Sequence, residues 1–298
     1  MCIRDRPNSM IIVGSGAIGI EFAYFYNSLG TDVTVVEFQD RIAPNEDHEI
    51  SKELEKILKK KNINILTSSK VVSSEISNDK VKVEIECKDN NLELVSDVVL
   101  SAVGIKSNIE DIGLEQIGVK VESDKILVNE FYKTNVDGIF AIGDIVSGQS
   151  LAHVASAEGR VSAEHINKNN VTKIDYQNIP GCTYCRPQVA SIGLTEDAAK
   201  KAGFSLKVGR FPLQASGKAL AIGEPDGMVK VIFDEKYGEL LGCHIIGSEA
   251  TELIAEAGVV RTLETTQHEI LNTIHAHPTI SESFMEAVAD AYNEAIHI

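Results

Sequence analysis

The sequence predicts an α/β protein in which a doubly wound domain is followed by a central segment and a carboxyl-terminal α+β domain. Three observations predict it. An apolar run, Met10–Val13, leads through a glycine-rich turn into a helix and a second apolar run, Val33–Val36. From about Ile105 turns become frequent. Beyond Ile179, short strands (VASIG, MVKVIF, LLGCHIIG) alternate with helices. The chain has 298 residues, room for roughly two domains. With 44 acidic and 28 basic side chains its formal charge is −16, which repels a phosphate backbone and argues against a nucleic-acid partner. No stretch approaches the roughly 18 apolar residues of a membrane span. Five scattered cysteines do not make a secreted disulfide scaffold, and no signal peptide is recognisable, so a reducing, cytoplasmic compartment is expected.

Residues 1–7 (MCIRDRP) fit no periodic pattern and read as a tail. Met10–Val13 suits a parallel strand buried on both faces. Ile18, Phe22 and Phe25 are spaced for one helix face, with Gly30 where that helix should stop. Val33–Val36 completes a βαβ unit. Ile50, Leu54, Ile57 and Leu58 mark an amphipathic helix whose lysine-rich end, Lys59–Lys61, suits the negative pole of the helix dipole and is read as a solvated end. Ile63–Leu66 reads as a strand, and the alternation of VKVEIE over Val81–Ile85 as an antiparallel, half-exposed one. Val95–Val103 reads as a buried run ending at Gly104. A strand over Ile139–Ile142 is expected to end in Gly143-Asp144, followed by a helix in AHVASAEGRVSAEHI. Asn167–Asn178 reads as a linker, and helices are expected around Glu249–Leu263 and Ile280–Ala295. The expected domains are 8–107, 108–175 and 176–298.

The turn Gly14-Ser15-Gly16-Ala17-Ile18-Gly19 has three glycines with distinct uses. The first permits a tight turn, the second lets backbone approach a pyrophosphate, and the third lets helix and strand pack closely. The amides opening the helix then face phosphate. Glu37, at the end of the second strand, can accept bonds from ribose hydroxyls and repels a 2′-phosphate, which favours NAD over NADP. Near the carboxyl end stands HAHPTISESFMEA. An imidazole titrates near neutrality and suits a general base, and Pro278 disfavours the helical region for His277. Glu282 could hold that ring, but Thr279-Ile-Ser-Glu282 equally fits a capping box for a helix whose core face carries Ile280, Phe284, Val288 and Tyr292. Asp144 alone fits a hydroxyl-binding carboxylate or a turn-former.

Taken together, TNVDGIFAIGD, SLAH at Ser150–His153, VGIKSN around Gly104 and HAHPTISE closely resemble the pyridine nucleotide–disulfide oxidoreductases, in particular the branch that oxidises dihydrolipoamide. IPGCTYCRPQVASIGLTE and the ending AIHI share that resemblance, which covers Asn8 to Ile298. It implies an NAD-binding domain, a central segment completing a FAD-binding domain, and a dimerisation domain. It implies His277 as general base, polarised by Glu282, taking a proton from a dihydrolipoamide thiol, with electrons passing through FAD to NAD⁺. By the same resemblance Glu21 matches a position near the nicotinamide and Val71 one near the adenine. Gly104 and Asp144, with Ser150, Leu151, Ala152 and His153, match flavin-binding segments.

Implied partners are a second copy, to which the histidine contributes, and the lipoyl-bearing acyltransferase or lipoyl protein of 2-oxoacid dehydrogenase or glycine-cleavage assemblies. The family's first flavin loop and its CxxxxC redox pair do not occur in these residues, so the chain is expected to be a carboxyl-terminal part, inactive alone. Alternatives are another disulfide reductase with a different thiol substrate, or an NAD-binding and dimerising module. No metal site is expected. Cys182 and Cys185 fall three apart on a presumed strand, hence on opposite faces, without a second pair to complete a tetrahedral site. Cys2, Cys87 and Cys243 read as incidental or buried groups. His275 is the rival base, sharing an extended face with His277 by two-residue periodicity. His153, His165, His244, His268 and His297 are assigned no catalysis.

Overall fold

A computed structural model describes residues 6–88, 90–168 and 170–298. Cys2, most of the tail and Asn169 of the linker lie outside them. The chain divides into two compact units, residues up to Val103 with Pro180–Ile298, and Gly104–Ile179.

In the first unit, β1 (Ser9–Val13), α1 (Ala17–Ser28) and β2 (Asp32–Val36) form the βαβ unit. Next come α2 (His48–Lys60), β3 (Asn64–Leu66), and the meander β4 (Ser69–Ser77), β5 (Lys80–Cys87) and β6 (Asn91–Ser96). With β7 (Val98–Ser101), a four-stranded parallel sheet has the order β3-β2-β1-β7. The meander is a separate antiparallel sheet. Its alternation turns Val83 and Ile85 onto Ile11 and Val36 while Glu84 and Glu86 face solvent.

One expectation is corrected here and another is refined. The stretch 95–103 is not one buried run. It breaks at Asp97, whose Oδ2 accepts the Asn8 and Ser9 amides at 2.7 and 3.1 Å, and β7 is a half-exposed edge strand. Ile18, Phe22 and Phe25 share one face of α1, as their spacing predicts, and that face is not the buried one. Gly19, Ile20 and Ala23 are buried, while the three larger side chains are 49, 40 and 43% exposed. A Cβ on Gly19 would lie 2.1 Å from Gly14 O, so the helix sits too close to the turn for bulk on that side. Gly30, at φ +86°, follows the helix end.

The second unit contains β8 (Val121–Glu122), β9 (Lys125–Ile126) and α3 (Ala152–Ile166). The expected strand over Ile139–Ile142 is absent. Phe140 forms one bridge to Lys133, and Asp144 sits on a 3-10 turn, Gly143–Ile145, rather than at the end of a parallel strand. The backbone there pairs across a tight reversal, Thr134 N–H to Ile139 O at 2.9 Å and Ala141 N–H to Tyr132 O at 3.0 Å, too short for a ladder.

The chain then returns to the first unit through β10 (Gly181–Thr183), β11 (Gln188–Gly193), α4 (Glu196–Lys201), β12 (Leu206–Pro212), α5 (Gly217–Ala221), β13 (Met228–Asp234) and β14 (Leu240–Gly247). Helices α6 (Ala250–Thr262), α7 (Gln267–Asn272) and α8 (Glu282–Ala291) complete it. The antiparallel sheet β10-β11-β14-β13-β12 buries one face under α6 and α8, through Ile254, Phe284, Ala287 and Val288. From its other face Val189 and Ile246 join Met10, Ile20 and Leu58 in a second core.

Polar side chains bridge these layers. Lys230 of β13, its side chain 2% exposed, donates to Asp47 at 2.8 Å, Glu49 at 2.7 Å and Glu196 at 2.7 Å. Arg210 of β12 adds a two-pronged pair with Glu49, at 2.7 and 2.6 Å. The Arg210 hydrogen bonds, reinforced by Lys230, hold the Glu49 carboxyl down at about 2. Burial works against ionisation of Asp47, yet Lys230 keeps that carboxyl below its usual range.

Candidate active site

Gly14 adopts φ +97° and donates its N–H to Val36 O at 2.9 Å. A Cβ there would lie 2.6 Å from Ala102 O, whereas one on Gly16 meets nothing within 4 Å. The backbone is therefore open at the second glycine, beside the first turn of α1, whose amides have no intrahelical partner. A glycine turn open at that point and a nearby acid fit a dinucleotide's pyrophosphate and ribose. Gly19→Ala is expected to destabilise the chain by about 1–3 kcal/mol, because backbone atoms would have to move. Gly16→Ala should leave stability within about 0.5 kcal/mol and weaken NAD⁺ binding instead. Thermal unfolding and calorimetric titration check the pair.

Glu37 is 7% exposed, and the glycine turn already engages it. Its Oε2 accepts the Ser15 N–H at 2.8 Å and the Ser15 hydroxyl at 2.5 Å, and its Oε1 accepts the Gln39 N–H at 2.8 Å. A carboxylate offers about four acceptor sites, so about one remains for a sugar hydroxyl. The sequence reading missed this second duty; a serine inside the turn is its only signal. Glu21 accepts the Tyr184 N–H at 2.8 Å and so ties α1 to the segment after β10. Val71 is half-buried on β4 at a bulge.

His277 and Glu282 are brought together, His277 Nδ1 lying 2.9 Å from Glu282 Oε1. The other oxygen, Oε2, accepts the Thr279 N–H at 2.8 Å. Only half of the expected capping box forms. The Thr279 hydroxyl turns back to Ala276 O at 2.6 Å, and α8 begins at Glu282 itself. Burial opposes ionisation of Glu282, but the Thr279 amide and the His277 ring outweigh it and hold its carboxyl below the usual range. An ionised Glu282 makes Nδ1–H the donor, so in neutral His277 the lone pair lies on Nε2. The ring is 80% exposed, and Nε2 takes no hydrogen bond among the described residues.

His275 does not share that environment. No strand spans 274–276, its side chain is 6% exposed, and Nε2 meets Glu256 Oε1 at 2.7 Å. The cysteine reading also changes in detail. Strand β10 ends at Thr183, so Cys185 lies beyond it, donating to Pro187 O at 3.0 Å. Burial pushes the Cys185 thiol up to about 12. Among the described residues no group of three or more His, Cys, Asp or Glu could hold a metal ion, and no helix is long and apolar enough to cross a membrane.

In the second unit, Asp144 is exposed on its 3-10 turn. Leu151 is the extended residue capping α3, and Ala152 and His153 open that helix with Ser150 half-buried before it. Gly104, at φ +145°, begins the unit. An exposed carboxylate beside a helix N-terminus fits the hydroxyl-rich and anionic parts of a flavin nucleotide.

The profile of the pyridine nucleotide-disulphide oxidoreductases matches residues 3–159, and that of their dimerisation domain matches 179–288. The chain belongs to this oxidoreductase family. It is 50% identical over 293 residues to the dihydrolipoyl dehydrogenase of Rhizobium etli, covering 98% of this chain and 61% of that protein. It is 46% identical over 294 residues to the enzyme of the same name from Zymomonas mobilis, covering 98% of this chain and 63% of that protein. The chain thus spans under two thirds of these relatives. Among solved structures, LpdA from Mycobacterium tuberculosis matches with a TM-score of 0.86 and 26% identity, over 95% of this chain and 61% of that one.

Proposed function

We propose that the chain is the NAD-binding and dimer-forming part of a dihydrolipoyl dehydrogenase. The observation that carries this reading is the His277–Glu282 pair, 2.9 Å apart, with the outer ring nitrogen open to solvent. His277 Nε2 takes the proton of a dihydrolipoamide thiol, and Glu282 holds the ring with Nδ1–H as donor so that Nε2 stays free to accept. The turn Gly14–Gly19 would hold the pyrophosphate of NAD⁺ and Glu37 a ribose hydroxyl, with Glu21 proposed for the nicotinamide end and Val71 for the adenine end. Asp144, Gly104 and Ser150–His153 contribute to a FAD site. A bound FAD would supply the redox chemistry that links the substrate side to NAD⁺. No CxxxxC pair occurs in the 298 residues, so the chain alone is proposed to bind NAD⁺ and dimerise without turnover.

The domains are proposed as 8–107, 108–175 and 176–298. Proposed partners are a second copy and a lipoyl-bearing protein, in the cytoplasm. The test is NAD⁺ reduction by a polypeptide of the relatives' full length carrying these residues. Dihydrolipoamide is expected to outperform glutathione and related dithiols or thiols. A preference for glutathione would transfer the chain to another disulfide reductase.

A further inference from the structure

The turn that carries Asp144 is held on both sides by side chains of its own unit. Before it, Glu158 of α3, 1% exposed, accepts the Gly143 N–H on Oε2 at 2.6 Å. The other oxygen of Glu158 accepts the Tyr176 hydroxyl at 2.6 Å, and Tyr132 meets that hydroxyl at 2.9 Å. After it, the Asp144 carbonyl accepts Lys125 Nζ at 2.6 Å and the Ser107 hydroxyl at 3.0 Å. Lys125 also donates to Ser107 Oγ at 2.8 Å, and the Ser107 N–H is anchored on Asp124 at 2.8 Å. An aspartate in a turn commonly spends its carboxylate on nearby backbone. Here the Asp144 carboxylate is exposed and takes no hydrogen bond or ion pair among the described residues.

We propose that Ser107, Lys125 and Glu158 are positioning residues for Asp144. They fix the amide entering the turn and the carbonyl leaving it, so that the carboxylate points outward in one orientation, ready for vicinal hydroxyls such as the ribityl chain of FAD. The choice of ligand rests on the function proposed above; the clamp itself does not. Glutamine at position 158 keeps one acceptor for the Gly143 N–H, but its bond is no longer charge-assisted, and the Tyr176 hydroxyl must reverse to accept from the amide, so the hold on the turn weakens.

The experiment measures FAD affinity by fluorescence titration, and amide hydrogen exchange over residues 143–146, in a polypeptide of the relatives' full length carrying these residues. Glu158→Gln and Lys125→Met should each weaken FAD about tenfold and accelerate exchange at the turn, while Lys125→Arg stays close to the unmodified protein. In an Asp144→Asn background the same two changes should cost less than about twofold, because they act through Asp144. Undiminished affinity, or losses that add fully in that background, would overturn the proposal. If the unmodified full-length polypeptide takes up no FAD, the ligand assignment fails. The exchange rates then judge the clamp alone: accelerated exchange supports it and unchanged exchange refutes it. Lys125, half-buried, provides a variant that tests the idea even if Glu158→Gln fails to fold.

Discussion

Replacing His277 by glutamine is expected to lower dihydrolipoamide-dependent NAD⁺ reduction by about a hundred- to ten-thousand-fold, the usual span for a lost general base. The measurement is steady-state turnover of the full-length polypeptide carrying these residues. Glutamine preserves a polar group of similar reach but cannot hold a proton near neutrality. The glycine turn is built from other elements, so the NAD⁺ dissociation constant should stay within about twofold of the unmodified value. His275→Gln is the control: its ring is already occupied by Glu256, and turnover should persist. If His275→Gln abolishes turnover while His277→Gln spares it, the roles of the two histidines are reversed.

The second large effect concerns folding. Lys230→Met should destabilise the protein by about 3 kcal/mol or more, because removing one partner strands a buried charge. Asp47, with a side chain 2% exposed, would lose its nearest cation. In a domain of this size that is a fall in melting temperature of roughly 6 °C or more. Restoring balance with Asp47→Asn in the same protein should recover part of it. The pH dependence has a definite sign. Glu49 is held at about 2 against an ordinary 4.5, so its contribution is complete above roughly pH 4.5 and disappears as the pH falls toward 2. Asp47 and Glu196 are shifted the same way. Glu46, raised by burial, runs opposite and favours the folded state as the pH falls. Acid unfolding followed by circular dichroism should therefore be less steep in Lys230→Met than in the parent.

Much of this was legible in the residues, for local reasons. Glycine turns are set by φ and by close approach, both short-range, so Gly14, Gly16 and Gly19 stand out in any strand–helix junction. The alternation of Val81, Val83 and Ile85 reported its own sheet face. Periodicity found the helix and the shared face of Ile18, Phe22 and Phe25, but could not show that Gly19 and Ala23 permit the closer packing on another side. The strand expected over Ile139–Ile142 failed because an apolar run cannot show whether a neighbour lies alongside. Long-range assemblies left fainter traces. Lys230 inside MVKVIF was a signal available but unused: a cation in an otherwise apolar strand must find carboxylates. Nothing in the spacing of Ser107, Lys125, Asp144 and Glu158 announces that they meet.

Glu282 divides its two oxygens between the imidazole and the Thr279 amide. Anyone wishing to reorient this imidazole by altering its carboxylate would also unfasten the corner that launches the final helix. A loosened imidazole and a loss of heat tolerance should therefore arrive as one inseparable trait, and a redesign must first supply the Thr279 amide with another acceptor.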